Sequence, residues 1–234
     1  MKKAVLFDLD NTLYSYDYAH GKALDAVYPV LKKEINISKK KFLELYKIAN
    51  DEIKHELAGT ASAHNRVLYF QRVVEKTHGT IEPRIILKMY ETYWNKFLQN
   101  MKIGKGVVDT MKTLQKMKLK IALVTDLTTH IQLRKIEKLG LTKYVDYLVT
   151  SEEAGSEKPN AIMFLLALNK LGILASEAIM VGDNLIKDIE GANSARIDSV
   201  AITKENIKPD KEDYKKPNFV IKEIPEVLEI LKKV

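Results

Sequence analysis

A chain of 234 residues, 46% hydrophobic and 29% charged, is long enough to bury a sizeable core, and this composition excludes disordered and membrane-embedded classes. With no cysteine it has no disulfide, no thiolate nucleophile and no cysteine-held zinc or iron–sulfur centre, so any metal must be held by oxygen or histidine. The net charge of +7 raises nucleic acid as a partner, but only five of the 38 basic residues are arginine and the lysines are scattered, often beside glutamates. Lys32-Lys33-Glu34 and Lys135-Ile136-Glu137-Lys138 read as solvated surface, so no nucleic-acid partner is expected.

The first predicted element is a strand at 4–8, Ala4-Val5-Leu6-Phe7-Asp8, followed by Asp10 and Thr12. Because Asp8 and Asp10 interrupt the apolar stretch, Met1-Lys2-Lys3 is not expected to open a signal peptide. Runs such as Ile179-Met180-Val181 are far too short to span a bilayer, so a cytoplasmic protein with no membrane partner is expected.

Residues 16–100 read as helical throughout. Apolar residues recur at helix spacing in four segments: Leu24, Val27 and Leu31; Phe42, Leu45, Ile48 and Ala49; Val67, Phe70 and Val74; Ile86, Met89, Tyr93 and Phe97. Ser38 is a candidate N-cap, and Gly59, Gly79 and Pro83 punctuate the block. From Gly106 onward strands alternate with helices: helix 107–117, strand 120–125, helix 129–139, strand 146–150, helix 160–171, strand 178–182, helix 185–194 and strand 198–202. A polar loop at 204–216, a strand at 218–221 and a helix at 226–233 follow. This alternation predicts an α/β, Rossmann-like, doubly wound parallel sheet that includes strand 4–8. The expected domains are therefore a core of residues 1–15 and 101–234 and an inserted all-helical domain of residues 16–100.

Polar groups stand where predicted strands end, at the edge where open α/β sheets place their chemistry. Strand 4–8 ends in Asp8 and Asp10, strand 120–125 in Thr125 and Asp126, and strand 178–182 in Gly182-Asp183-Asn184. Lys158-Pro159 precedes a helix, and Asp188 lies one turn beyond Asp183. Singly, each is ordinary capping or loop chemistry. Together, several carboxylates repel one another, for which a hard divalent cation such as Mg2+ is the usual remedy, and a phosphate ester needs neutralisation by that metal, a lysine and backbone N–H groups. Asp8 is then a candidate nucleophile on phosphorus and Asp10 the acid that protonates the leaving alcohol and the base that later activates water.

Asp8-Leu9-Asp10-Asn11-Thr12, Val124-Thr125, Lys158-Pro159 and Gly182-Asp183-Asn184 through Asp188 resemble, in order and spacing, the four motifs of the haloacid dehalogenase-like hydrolases. The helical insertion after the first motif resembles the C1-type cap of that family. The resemblance implies a Mg2+-dependent phosphatase of small phosphate monoesters, such as glyceraldehyde 3-phosphate, phosphoglycolate or a sugar phosphate, acting through an aspartyl-phosphate. It implies Asp8 as nucleophile and metal ligand, Asp10 as acid/base and ligand through its backbone carbonyl, and Asp183 as the remaining ligand. It assigns phosphoryl contacts to Thr125 and to the backbone N–H of Asp126. Lys158 would neutralise Asp8 and phosphate, Asp188 would orient Lys158 or bind a metal-bound water, and Asn184 and Thr12 would support them.

Asp126 departs from the asparagine common at this place; its side chain is expected to cap helix 129–139 rather than contact substrate. In the insertion, Arg66, beside His64 and Asn65, is the candidate substrate contact, against the alternative of an exposed helix arginine. The expected partner is a small phosphorylated metabolite, and the expected state a monomer or homodimer. A phosphomutase shares both aspartates. A 2-haloacid dehalogenase generally lacks Asp10, and a nucleic-acid-binding protein would use the carboxylates only as caps.

Overall fold

The structure, a computed structural model, describes residues 1–203 and 215–234. Most of the segment expected as a polar loop, residues 204–214, lies outside the described residues. The described chain divides into two compact units, Met1–Ser15 with Lys102–Val234, and Tyr16–Met101.

In the first unit, β1 (Ala4–Phe7), β2 (Lys120–Thr125), β3 (Tyr147–Thr150), β4 (Ala178–Gly182), β5 (Asp198–Ile202) and β6 (Phe219–Ile221) form one sheet in the order β3-β2-β1-β4-β5-β6. Every neighbouring pair is parallel. All four residues of β1 and all five of β4 are buried, because helices cover both faces of the sheet. The helices are α5 (Val107–Lys116), α6 (Thr129–Lys138), the single turn α7 (Ser151–Ala154), α8 (Ala161–Leu171), the short α9 (Gly191–Ser194) and α10 (Val227–Leu231). Met163, Phe164 and Ala167 of α8 pack on Leu6, Val124 and Met180 from the central strands. Each buried Met, Phe, Leu or Val side chain among these is worth about 1.5–3 kcal/mol. After β3 the chain crosses to the far side of β1, so the strand order reverses at β1 and β4, and a crevice is expected beyond their carboxyl ends.

The predicted helix 185–194 is not one regular helix. Residues Leu185–Glu190 form a wide π turn, with the Ile189 N–H reaching the Asn184 carbonyl at 3.3 Å, before α9 begins. The wide turn lays Asp188 on the backbone of β4. A Cβ at Gly182 would stand 2.3 Å from the Asp188 carboxyl, so only glycine fits there.

The second unit holds α1 (Tyr16–Glu34), α2 (Lys39–Glu56), α3 (Arg66–His78) and α4 (Pro83–Asn100). Ser38 accepts the Lys41 N–H as N-cap of α2, Gly79 closes α3 in the left-handed conformation, and Pro83 starts α4. The core faces differ in part from the expected ones. On α2 the buried stripe is Phe42, Tyr46, Ala49 and Ile53, while Ile48 is exposed and Leu45 only half-buried; on α3 Val67 is half-buried and Tyr69 buried. The tyrosines take the interior because their rings build an aromatic core: Tyr93 meets Phe70, Trp94 and Phe97 at centroid distances of 5.0–5.8 Å. Among the described residues no helix is long and apolar enough to cross a membrane.

Candidate active site

β1 ends at Phe7, and the Asp8 N–H still bonds to the Val181 carbonyl, which fixes the start of the following loop. Asn11 then takes a left-handed conformation (φ 65°) and the Leu13 N–H returns to the Leu9 carbonyl. Across this tight turn Thr12 bonds to Asp8, whereas Asp10 bonds to Lys135 and Tyr14. The Thr12 hydroxyl lies 3.2 Å from both Asp8 Oδ2 and Asp183 Oδ1.

Lys158 is the centre of the arrangement. Its Nζ donates to Asp8 Oδ1 at 2.6 Å and to Asp188 Oδ1 at 2.7 Å, and all three side chains are buried. The second Asp188 oxygen accepts the Asn184 N–H at 3.0 Å. Asn184 in turn caps the wide turn by accepting from the N–H groups of Ile186 and Lys187. Burial pushes the Asp8 carboxyl well above the usual carboxylate range; Lys158 opposes this, while Asp188 and Asp10 add to it. Partial desolvation, then Asp188, raises Asp183 to about 6. For Lys158 burial acts to lower the pKa, but the Asp188, Asp8 and Asp126 carboxylates together hold it above the usual lysine value.

Carboxylate oxygens of Asp8, Asp183 and Asp188 lie within 4.8 Å of one another. Two of these three carboxyls are raised by crowding and burial, which is the electrostatic deficit that a divalent cation relieves, and an all-oxygen donor set suits Mg2+. The residues therefore fit such an ion. Asp10 does not bring its carboxylate to this cluster.

Instead, Asp10 is held by a residue that the sequence reading placed on the surface. Lys135 of α6 is fully buried, and its Nζ lies 2.8 and 2.7 Å from the two Asp10 oxygens; the Tyr14 hydroxyl also donates to Asp10 Oδ1. Lys135 is thus not part of a solvated charge run. Gln132, one turn earlier, is also fully buried and donates to Thr125 Oγ1 at 2.7 Å and to the Asp126 carbonyl at 2.6 Å. The available signal was positional: Gln132 and Lys135 interrupt the apolar stripe of Ile131, Ile136 and Leu139 at helix spacing.

Asp126 does not cap α6. Thr128 occupies the N-cap position, and the Thr129 N–H bonds to Glu152. The Asp126 carboxylate accepts the Lys158 backbone N–H at 3.0 Å and Lys187 Nζ at 2.7 Å, and these cations, working against burial, hold its pKa below the usual value.

In the helical unit Arg66 is buried, not an exposed helix arginine. It donates to the His64 carbonyl and to the Tyr16 hydroxyl, and its guanidinium lies 5.1–5.9 Å from the rings of Tyr16, Tyr69, Tyr93 and Trp94. Among the described residues no carboxylate pairs with it. His20, bonded to the Tyr93 hydroxyl at 2.7 Å, is lowered to about 4 by burial, then by Arg66 and Lys54.

Comparison with known proteins finds relatives along most of the chain. The sequence profile described as haloacid dehalogenase-like hydrolase matches residues 5–202. The chain is 44% identical over 202 residues to the ribulose-1,5-bisphosphate 5-phosphatase of Halopiger xanaduensis, covering 86% of this chain and 84% of that one. It is 32% identical over 233 residues to the glyceraldehyde 3-phosphate phosphatase of Methanocaldococcus jannaschii, covering 99% and 98%. The crystal structure of a HAD phosphatase from Thermococcus onnurineus superposes with a TM-score of 0.76 at 26% identity, over 99% of this chain and 98% of that one.

Proposed function

The chain belongs to the haloacid dehalogenase-like hydrolases and is a phosphoric monoester hydrolase, and from that premise we propose a Mg2+-dependent phosphatase of small phosphorylated sugars that works through an aspartyl-phosphate on Asp8. The observation that carries this reading is the buried Asp8–Lys158–Asp188 arrangement, with Thr12 joining Asp8 to Asp183.

On this reading Asp8 and Asp183 hold the Mg2+, with the Asp10 backbone carbonyl as a further ligand. When bound, the ion neutralises the clustered carboxylates and the phosphate they receive. Asp8 attacks phosphorus, and the ester P–O bond breaks as the Asp8–phosphorus bond forms. Lys158 keeps Asp8 oriented and offsets phosphate charge that two buried carboxylates would otherwise repel. Asp188 holds that ammonium in place, and Asp126 holds its backbone. Thr125, fixed by Gln132, and the Asp126 N–H serve the phosphoryl oxygens. Asp10 gives its proton to the departing alkoxide, then accepts one from the water that attacks the phosphoenzyme, returning Asp8 and releasing phosphate.

The helical unit is proposed as the cap that selects the substrate, with Arg66 meeting an anionic group of it. The partner is a small phosphorylated metabolite, with the chain a cytoplasmic monomer or homodimer. The test is kcat/KM over a panel with Mg2+: glyceraldehyde 3-phosphate, ribulose 1,5-bisphosphate, phosphoglycolate, hexose phosphates and nucleotides. Preference for the three- to five-carbon sugar phosphates, abolished by EDTA, is the expected result. Turnover indifferent to EDTA, or transfer to a sugar hydroxyl in place of water, would reject it.

A further inference from the structure

We propose that Lys135 is a positioning residue for the acid/base carboxylate: it seats Asp10 apart from the Asp8–Asp183–Asp188 cluster, so that Asp10 serves the leaving oxygen without joining the crowded carboxylates. The inference rests on the phosphatase reading above and extends it to a residue outside the four motifs.

Lys135 sits on the core-facing side of α6, where an apolar residue would complete the stripe of Ile131, Ile136 and Leu139. Burying an ammonium there carries a large desolvation cost before any partner offsets it, whereas a well-packed apolar residue of similar volume carries none. A partner is Asp10, whose side chain is 29% exposed and does not itself need a buried cation for solvation. A lysine there is therefore poorly explained by stability and well explained by control of where Asp10 points. Contact to both Asp10 oxygens removes the rotational freedom that a single hydrogen bond would leave. The Tyr14 hydroxyl makes a further contact to Oδ1, and the Tyr14 ring lies 5.9 Å from Lys135 Nζ, so anchor and carboxylate share one wall. The loop geometry agrees: the left-handed Asn11 turns the chain between Asp10 and Thr12, and Asp10 bonds to Lys135 and Tyr14 while Thr12 bonds to Asp8 and Asp183.

A residue that acts through the general acid has a signature that a structural residue lacks. An alkyl ester needs a proton on its leaving oxygen, whereas p-nitrophenolate departs without one. Single-turnover phosphoenzyme formation is therefore compared for glyceraldehyde 3-phosphate and p-nitrophenyl phosphate in the wild type, Lys135→Met, Asp10→Ala and the double variant. The expected result for Lys135→Met is a loss of about 10–100-fold on the alkyl ester, with the p-nitrophenolate burst within about 3-fold of wild type. Asp10→Ala should give the same pattern, larger, and the double variant should lose no more than Asp10→Ala alone. Equal losses on both esters, or additive losses in the double variant, would overturn the inference. Should Lys135→Met give no cooperative melt, Tyr14→Phe decides by the same ratio of esters: a selective alkyl loss supports the seat, an unchanged ratio rejects it. Asp8→Asn separates the two levels, since its retained turnover rejects the underlying mechanism, whereas an inactive Asp8→Asn with equal Lys135→Met losses rejects the positioning role alone.

Discussion

Lys158 and Arg66 are almost equally hidden, at 4% and 7% exposed, yet the company they keep differs. In the first unit Lys158 bridges two buried carboxylates. In the second, Arg66 is surrounded by tyrosine hydroxyls, a backbone carbonyl and aromatic faces. The lesson is that burial alone does not tell what a charge contributes. A cation between carboxylates keeps those carboxylates tolerable, whereas a cation among rings leaves no anion stranded when it is removed.

Lys158→Met is the strongest way to break this contrast. It leaves Asp8 and Asp188 facing each other without the ammonium, and is expected to cost about 3–5 kcal/mol in urea denaturation and to abolish turnover. A cost under 1 kcal/mol would show that the pair is not held by Lys158.

The pH dependence of stability comes next, through His20. Its folded pKa of about 4 lies below the ordinary 6.5, so the unfolded state binds the extra proton between those values. Stability from this source is complete above pH 6.5 and is lost as pH falls toward 4, by on the order of 2–3 kcal/mol. Urea denaturation of His20→Gln beside wild type at pH 7 and pH 4.5 checks it: the variant should lose less on acidification.

Arg66→Met sharpens the comparison directly. It strands hydroxyl and carbonyl groups but no carboxylate, and the same denaturation assay should show a cost below about 2 kcal/mol, clearly less than Lys158→Met. The smallest effect belongs to Asp126→Asn. The amide still accepts the Lys158 N–H and loses only the Lys187 ion pair, so about 0.5–1 kcal/mol is expected, with kcat within about 5-fold. A larger loss in kcat would assign the Asp126 carboxylate a direct part in turnover.

Much of the fold was legible because helix-spaced apolar residues give way at Gly106 to short apolar runs alternating with helices. That alternation gave the parallel sheet, while the strand order came from the structure. The motif residues were legible because Asp8, Thr125 and Asp183 each stand at a strand end, where the parallel sheet gathers them. Lys135, Gln132 and the partners of Asp126 were not, for a common reason: each depends on a contact 32 or more residues away in sequence, or on the inward face of α6. Polar letters on an amphipathic helix read as solvent-facing by default. The buried place of Tyr46 over Ile48 was missed similarly, since ring packing across helices outweighed apolar character within one.

The central claim is that Asp8 carries the phosphoryl group between ester and water. The most direct measurement mixes enzyme, Mg2+ and glyceraldehyde 3-phosphate, quenches in acid within milliseconds, and maps the phosphorylated peptide by mass spectrometry. The account predicts one phosphoryl group on the peptide containing Asp8, appearing before free phosphate and absent in Asp8→Asn, which does not turn over. Full turnover by Asp8→Asn, with no adduct at residue 8 in the wild type, would contradict it.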